Sequence, residues 1–139
     1  MIAYIDSSIV LRILFGEHDR LSLPKHLNTT LASEILKIEC FRTLERIRLS
    51  LRLTEDEMLQ RTLMLNQALR TIKFIKFNST ILDRACQPLP VTIKTLDAIH
   101  LSTALEWRSR ENETLVFLTH DEQLGKVAKA MDFSVLGCK

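Results

Sequence analysis

Short apolar runs alternate with longer helical stretches along this chain, and that alternation constrains the fold more than any other feature. Residues 2–5, 27–32, 72–77, 115–118 and 133–136 read as strands, and helical segments separate each from the next. Strands joined through helices pair in parallel, because a parallel connection must cross the sheet, and the crossing helices then cover both faces. The expected class is therefore α/β with a parallel sheet. Only three glycines and three prolines occur in the chain, too few to supply the turns of a many-stranded all-β protein or the composition of a disordered one.

Local signals place the helices. Ser7 and Ser8 form a capped turn before a helix over residues 9–14, and residues 16–24 are polar and broken, as in a loop. Ser33 is expected to cap a helix running to about residue 50. Thr54 and Glu57 make a capping box that opens a helix to about residue 69. A short helix over residues 79–86 is stopped by Pro88 and Pro90. Thr95 is expected to cap a helix over residues 96–108, residues 110–113 form a charged connector, and a last helix covers residues 122–131.

With 139 residues, 46% of them hydrophobic, the chain is expected to form one domain over residues 1–139 and to bury about two-thirds of its unfolded surface. The net charge of +2 does not by itself announce a nucleic-acid partner, so any such partner has to be argued from clusters. The three cysteines Cys40, Cys86 and Cys138 are widely spaced and read as free thiols in a reducing compartment. The apolar opening carries Asp6 and Arg12 and lacks the charge pattern of a secretory signal, and no run approaches the ~20 apolar residues of a membrane span. A cytoplasmic chain without membrane association is expected.

The acidic residues carry the chemistry. Ligands of parallel α/β sheets bind beyond the carboxyl ends of the strands, where Asp6 and Asp121 both fall. Each also suits a helix N-cap. Asp97 opens a helix that is apolar around most of its circumference, where a charge is costly unless paired or coordinated, although the helix dipole alone favours a first-turn aspartate. His100, one turn on, reads as a hydrogen-bonded neighbour rather than a ligand. Glu39, Arg42 and Arg46 share a stripe of one helix, which suits either an exposed ion-paired face or a site carboxylate with guanidiniums placed for phosphates. Lys37, Arg48 and Arg52 extend this basic run. Carboxylates converging on one crevice repel one another and demand a cation, and oxygen ligands without a cysteine or paired-histidine signature select a hard ion, Mg²⁺ or Mn²⁺. Such a site suits phosphodiester hydrolysis.

Four segments, in order, carry a family resemblance: Tyr4-Ile5-Asp6-Ser7-Ser8; Ser33-Glu34-Ile35-Leu36-Lys37-Ile38-Glu39-Cys40-Phe41-Arg42; Leu96-Asp97-Ala98-Ile99-His100-Leu101-Ser102-Thr103-Ala104; and Leu118-Thr119-His120-Asp121-Glu122-Gln123-Leu124. Taken together they resemble the PIN-domain ribonucleases, and among them the VapC-like toxins of type II toxin–antitoxin pairs. The resemblance spans nearly the whole chain and implies a three-layer α/β/α fold with endoribonuclease activity dependent on Mg²⁺ or Mn²⁺. By position, Asp6, Asp97 and Asp121 would hold the metal, Glu39 would complete the acidic quartet, and Thr119 would orient a site water or carboxylate. Ser7, Arg42 and Arg46 would contact the RNA. Glu34 is a second acid near the match, and Glu39 is preferred because Arg42 follows it by three residues. Ser102 stands where similar chains often have alanine.

The resemblance also implies a homodimer and a small cognate antitoxin covering the crevice. The apolar residues Met58, Leu59, Leu63, Met64 and Leu65 offer a helix face for the dimer. A different class of protein with this fold would be a non-catalytic RNA- or protein-binding module, which the intact acids disfavour. A phosphatase on a similar sheet needs an aspartate where Ser8 stands, and Gly16, Gly125 and Gly137 form no phosphate loop. Neither His18, His26, His100 nor His120 is arranged to replace a metal with general-base chemistry.

Overall fold

A computed structural model describes residues 1–16 and 21–138 of the chain. Among these, five strands and six helices follow in the order β1 (Ile2–Ile5), α1 (Ser7–Leu14), β2 (Thr29–Ser33), α2 (Ile35–Leu51), α3 (Glu55–Arg70), β3 (Lys73–Ile75), α4 (Ser79–Ala85), α5 (Thr95–Glu111), β4 (Val116–Leu118), α6 (Glu122–Ala130) and β5 (Ser134–Leu136). The strands form one sheet, all parallel, in the order β3-β2-β1-β4-β5.

The two-residue period of a strand divides the core between the faces. Ala3 and Ile5 of β1, Ala32 of β2 and Leu118 of β4 face α1, α2 and α3, where Ile9, Leu36, Leu44 and Leu65 meet them. Their neighbours Tyr4, Leu31 and Phe117 face α5 and α6, against Leu101, Ala104, Leu124 and Val127. Register enforces this split, since Tyr4 pairs with Leu31 on one side and with Phe117 on the other. Each fully buried Leu or Phe contributes roughly 1.5–3 kcal/mol. The expected three-layer α/β/α arrangement is thus present, with helices on both faces.

Several boundaries differ from those read in the sequence, each for a local reason. β2 begins at Thr29 and runs through Ser33, because the edge of β1 that it pairs with starts at Ile2. Ser33 therefore ends a strand, and Glu34 takes the N-cap position of α2 without a side-chain cap bond; the Ser33 hydroxyl still accepts from the Ile35 N–H at 3.3 Å. Thr95 lies inside α5 and Lys94 precedes it as N-cap. The supposed connector at residues 110–113 is partly helical, since α5 continues to Glu111 and stops at Asn112 in the left-handed conformation. β3 is shorter than the run of β-formers around it, because only Lys73, Phe74 and Ile75 pair with β2. Of the expected loop at residues 16–24, residues 17–20, and with them His18, lie outside the described residues.

Strand order sets where a ligand can sit. The chain winds outward from β1 through β2 to β3, then returns to the other side of β1 for β4 and β5. The crossovers leave β1 and β4 in opposite directions, which opens a crevice beyond their carboxyl ends.

Candidate active site

The residues that leave β1 and β4 enter this crevice directly. Asp6 follows Ile5 and caps α1, its side chain accepting from the Ser8 N–H. Asp121 caps α6 in the same way, accepting from the Leu124 N–H at 3.0 Å. The cap reading and the site reading of both aspartates describe the same positions, since each also lines a cavity of about 500 Å³. Asp97, in the first turn of α5, and Glu39, in the second turn of α2, line that cavity from two further elements. The structure thus brings Asp6, Glu39, Asp97 and Asp121 to one space. Glu34 lies elsewhere, its carboxylate accepting from the Phe77 N–H at 3.2 Å.

Asp6 is held on both oxygens. The Ser8 hydroxyl donates to Oδ1 at 2.5 Å and the Thr119 hydroxyl donates to Oδ2 at 2.8 Å. Thr119, fully buried, also accepts from the Asp121 N–H at 3.0 Å, so one hydroxyl ties the end of β1 to the start of α6. Ser8 accepts from the His120 N–H at 2.9 Å. Ser8 was not among the residues that sequence reasoning placed in the site; its signal was its position two residues after Asp6, where a short hydroxyl can reach back to a capping carboxylate.

Gly137 closes the frame. At φ +102°, a Cβ there would stand 2.3 Å from the Thr119 carbonyl oxygen. Only glycine lets the end of β5 approach the Thr119 backbone this closely, and the Gly137 carbonyl then accepts from Nδ1 of His120 at 3.0 Å.

The acids strain one another electrostatically. Burial raises the Asp6 carboxyl above its ordinary range, against the Ser8 and Thr119 hydrogen bonds and the nearby His100, which lower it. Asp97 is pushed up to about 6, by burial first and then by the charges of Asp121 and Asp6. Burial likewise lifts the Cys40 thiol to about 12, which makes it an inert core group. The donors around the cavity are hard oxygens whose mutual repulsion a cation would relieve, so the set fits a divalent ion of the Mg²⁺ type. Among the described residues, no three His, Cys, Asp or Glu side chains already stand as a closed metal-holding group. The acids instead line separate walls. Lys94 is the basic residue among the lining groups.

A second hollow, about 370 Å³, shares Ser7, Glu39 and Leu96 with the acidic cavity and continues along α2 past Arg42, Thr43 and Arg46. Arg46 donates to the Thr43 hydroxyl at 3.0 Å, and Ser7 donates to Glu39 Oε2 at 3.3 Å. Other members of the basic run point elsewhere: Lys37 lies over the Phe74 ring at 4.3 Å and Arg48 pairs with Glu45 at 3.2 Å. His100 is the hydrogen-bonded neighbour the sequence suggested, its Nε2 meeting Glu39 Oε1 at 2.5 Å. Another cavity, about 590 Å³, opens around the far end of α5 near Arg84, Arg108 and Asn112, at the opposite end of the sheet from the acids.

Comparison with known proteins agrees with this architecture. A family model of the PIN domain matches residues 3–130. Among solved structures, VapBC2 from Rickettsia felis bound to a DNA fragment from their promoter contains a chain similar in fold, with a TM-score of 0.66 and 18% sequence identity over 97% of each chain. No curated protein matches the sequence. No helix among the described residues is long and apolar enough to cross a membrane.

Proposed function

The chain belongs to the PIN domain family, and from that premise we propose that it is a metal-dependent endoribonuclease, acting as one domain over residues 1–139 and serving as the toxin of a type II toxin–antitoxin pair. The observation that carries this reading is the single cavity lined by Asp6, Glu39, Asp97 and Asp121.

In this reading Asp6, Asp97 and Asp121 would hold Mg²⁺ or Mn²⁺, and Glu39 completes the acidic wall. When bound, the ion would supply Lewis acidity for a water nucleophile and for the charge that develops on a phosphate. Thr119 and Ser8 each donate to one oxygen of the Asp6 carboxylate and so fix its orientation at the cavity wall. Arg42 and Arg46, in the adjoining hollow, meet the RNA phosphates with planar forks, and Ser7 contacts the strand where the two hollows join. Hydrolysis by an external water leaves a 5′-phosphate and a 3′-hydroxyl.

Partners follow the same reading. The fold likeness to a chain of VapBC2 supports a cognate antitoxin; in this reading the antitoxin covers the crevice, and the chain acts on RNA in the cytoplasm. A homodimer through α3 is supported by Leu59, Leu63 and Met64, which are exposed. Leu65 is buried and Met58 packs on the core, so those two serve the fold.

The test is incubation of purified, partner-free protein with total RNA and Mg²⁺ or Mn²⁺, beside chelator and Asp6→Asn controls. Metal-dependent cleavage that the variant abolishes supports the reading. Equal behaviour of wild type and variant, with RNA or a protein partner still bound, replaces it with the binding-module reading.

A further inference from the structure

Behind the acidic cavity, the core holds polar groups that the proposed reaction does not use. Tyr4, on β1, is fully buried and His100, on α5, is 1% exposed. Tyr4 sits among apolar and aromatic groups, stacked on Phe117 with ring centroids 5.2 Å apart, where a phenylalanine would pack equally well. Burying a phenol and an imidazole there is costly unless every polar atom finds a partner. They do find partners, in a chain that ends on Glu39. The Ser33 N–H donates to the Tyr4 oxygen at 3.1 Å, Tyr4 Oη meets His100 Nδ1 at 2.8 Å, and His100 Nε2 meets Glu39 Oε1 at 2.5 Å.

We infer that Tyr4 and His100 are positioning residues for Glu39, a buried strut from the sheet that clamps one of its carboxylate oxygens and so fixes how the other faces the cavity. A carboxylate only accepts, so Nε2 carries the hydrogen that Glu39 receives, and Nδ1 shares its own hydrogen bond with the Tyr4 hydroxyl at the other side of the ring. The other Glu39 oxygen accepts from Ser7 at 3.3 Å, at the junction of the two hollows. Three elements, β1, α2 and α5, thereby set one side chain. Without the strut, Glu39 at the cavity wall is free to swing toward Arg42 or solvent.

The inference rests on the nuclease reading for its kinetic arm and stands apart from it in its spectroscopic arm. In the full-length protein, His100→Leu lowers kcat for RNA cleavage by roughly 10- to 100-fold, the usual cost of losing a partner that orients a site ligand, with KM unchanged. Tyr4→Phe, which keeps the ring packing, lowers it by roughly 3- to 10-fold, the worth of one neutral hydrogen bond. In a Glu39→Gln background neither change lowers kcat further, because both act through that carboxylate. Losses that add independently of Glu39, or full activity in His100→Leu, overturn the inference. Nitrogen NMR of the imidazoles decides it separately, and Tyr4→Phe serves if His100→Leu does not fold. The His100 signals report hydrogen on Nε2 and shift in Glu39→Gln; signals indifferent to Glu39→Gln overturn the strut. A wild type that cleaves no RNA defeats the nuclease reading alone, and the spectra still decide the strut.

Discussion

Asp6 holds two roles at once, and substitutions can separate them. Asparagine caps a helix as well as aspartate does, so Asp6→Asn is expected to keep α1 and the melting temperature within about 2 °C while cleavage falls at least about 100-fold. Asp6→Ala also loses the cap, adding a cost of about 1 kcal/mol. Circular dichroism melts beside cleavage rates check both. Asp97 gives a pH signature. Its folded-state ionisation lies near 6 against an ordinary value of 3.8, so the native state binds the extra proton, and stability is lost as pH rises through that window. In chelator, Asp97→Asn is therefore expected to melt about 3 °C above wild type at pH 7.5, a screened effect of about 1 kcal/mol, with the gap closing below pH 4. A gap that is constant with pH contradicts the assignment. Ser102 is buried with a hydroxyl that lacks a hydrogen-bond partner among the described residues. Ser102→Ala is expected to stabilise the chain by about 1 kcal/mol, measurable by urea denaturation.

At the scale of elements, the signals that worked were those with a local mechanism. The Thr54 and Glu57 capping box is present with both of its bonds, and the apolar run of β4 is a buried strand. Ser33 and Thr95 misled because a hydroxyl before an apolar run reads as a cap wherever it falls. At Ser33 the strand pairing with Ile75 won, and at Thr95 the helix simply began one residue earlier. The acids at positions 6, 97 and 121 were legible because each sits where a strand or helix ends. Glu39 needed the resemblance to choose it over Glu34, and its His100 partner is 61 residues away, a distance that no local pattern bridges. The β5 end supplies a further test. Gly137→Ala drives a methyl into the Thr119 carbonyl, so it is expected to cost about 2 kcal/mol and to lower cleavage with it, since Thr119 holds Asp6. A variant with unchanged melting and activity contradicts this coupling. On α3, charged residues at Leu59 and Leu63 are expected to give a folded monomer by light scattering; an unchanged dimer removes that face from the assembly.

At the scale of the whole molecule, the parallel sheet and its reversal between β1 and β4 explain why acids distant in sequence share one cavity. The fold delivers carboxylates from α2, α5 and the segments that follow β1 and β4 to one edge, and Arg42 and Arg46 of α2 line the adjoining hollow that the proposed function assigns to RNA phosphates. With two arginines proposed to meet RNA phosphates, RNA affinity is expected to fall with salt in proportion to few phosphate contacts. These acids are proposed to run hydrolysis by an external water rather than by the RNA's own 2′-hydroxyl. The most direct test is the chemistry of the cut ends after cleavage in Mg²⁺ or Mn²⁺. Cleavage by an external water leaves 5′-phosphates and 3′-hydroxyls, absent with chelator and with Asp6→Asn; 5′-hydroxyls paired with 2′,3′-cyclic phosphates would contradict that chemistry.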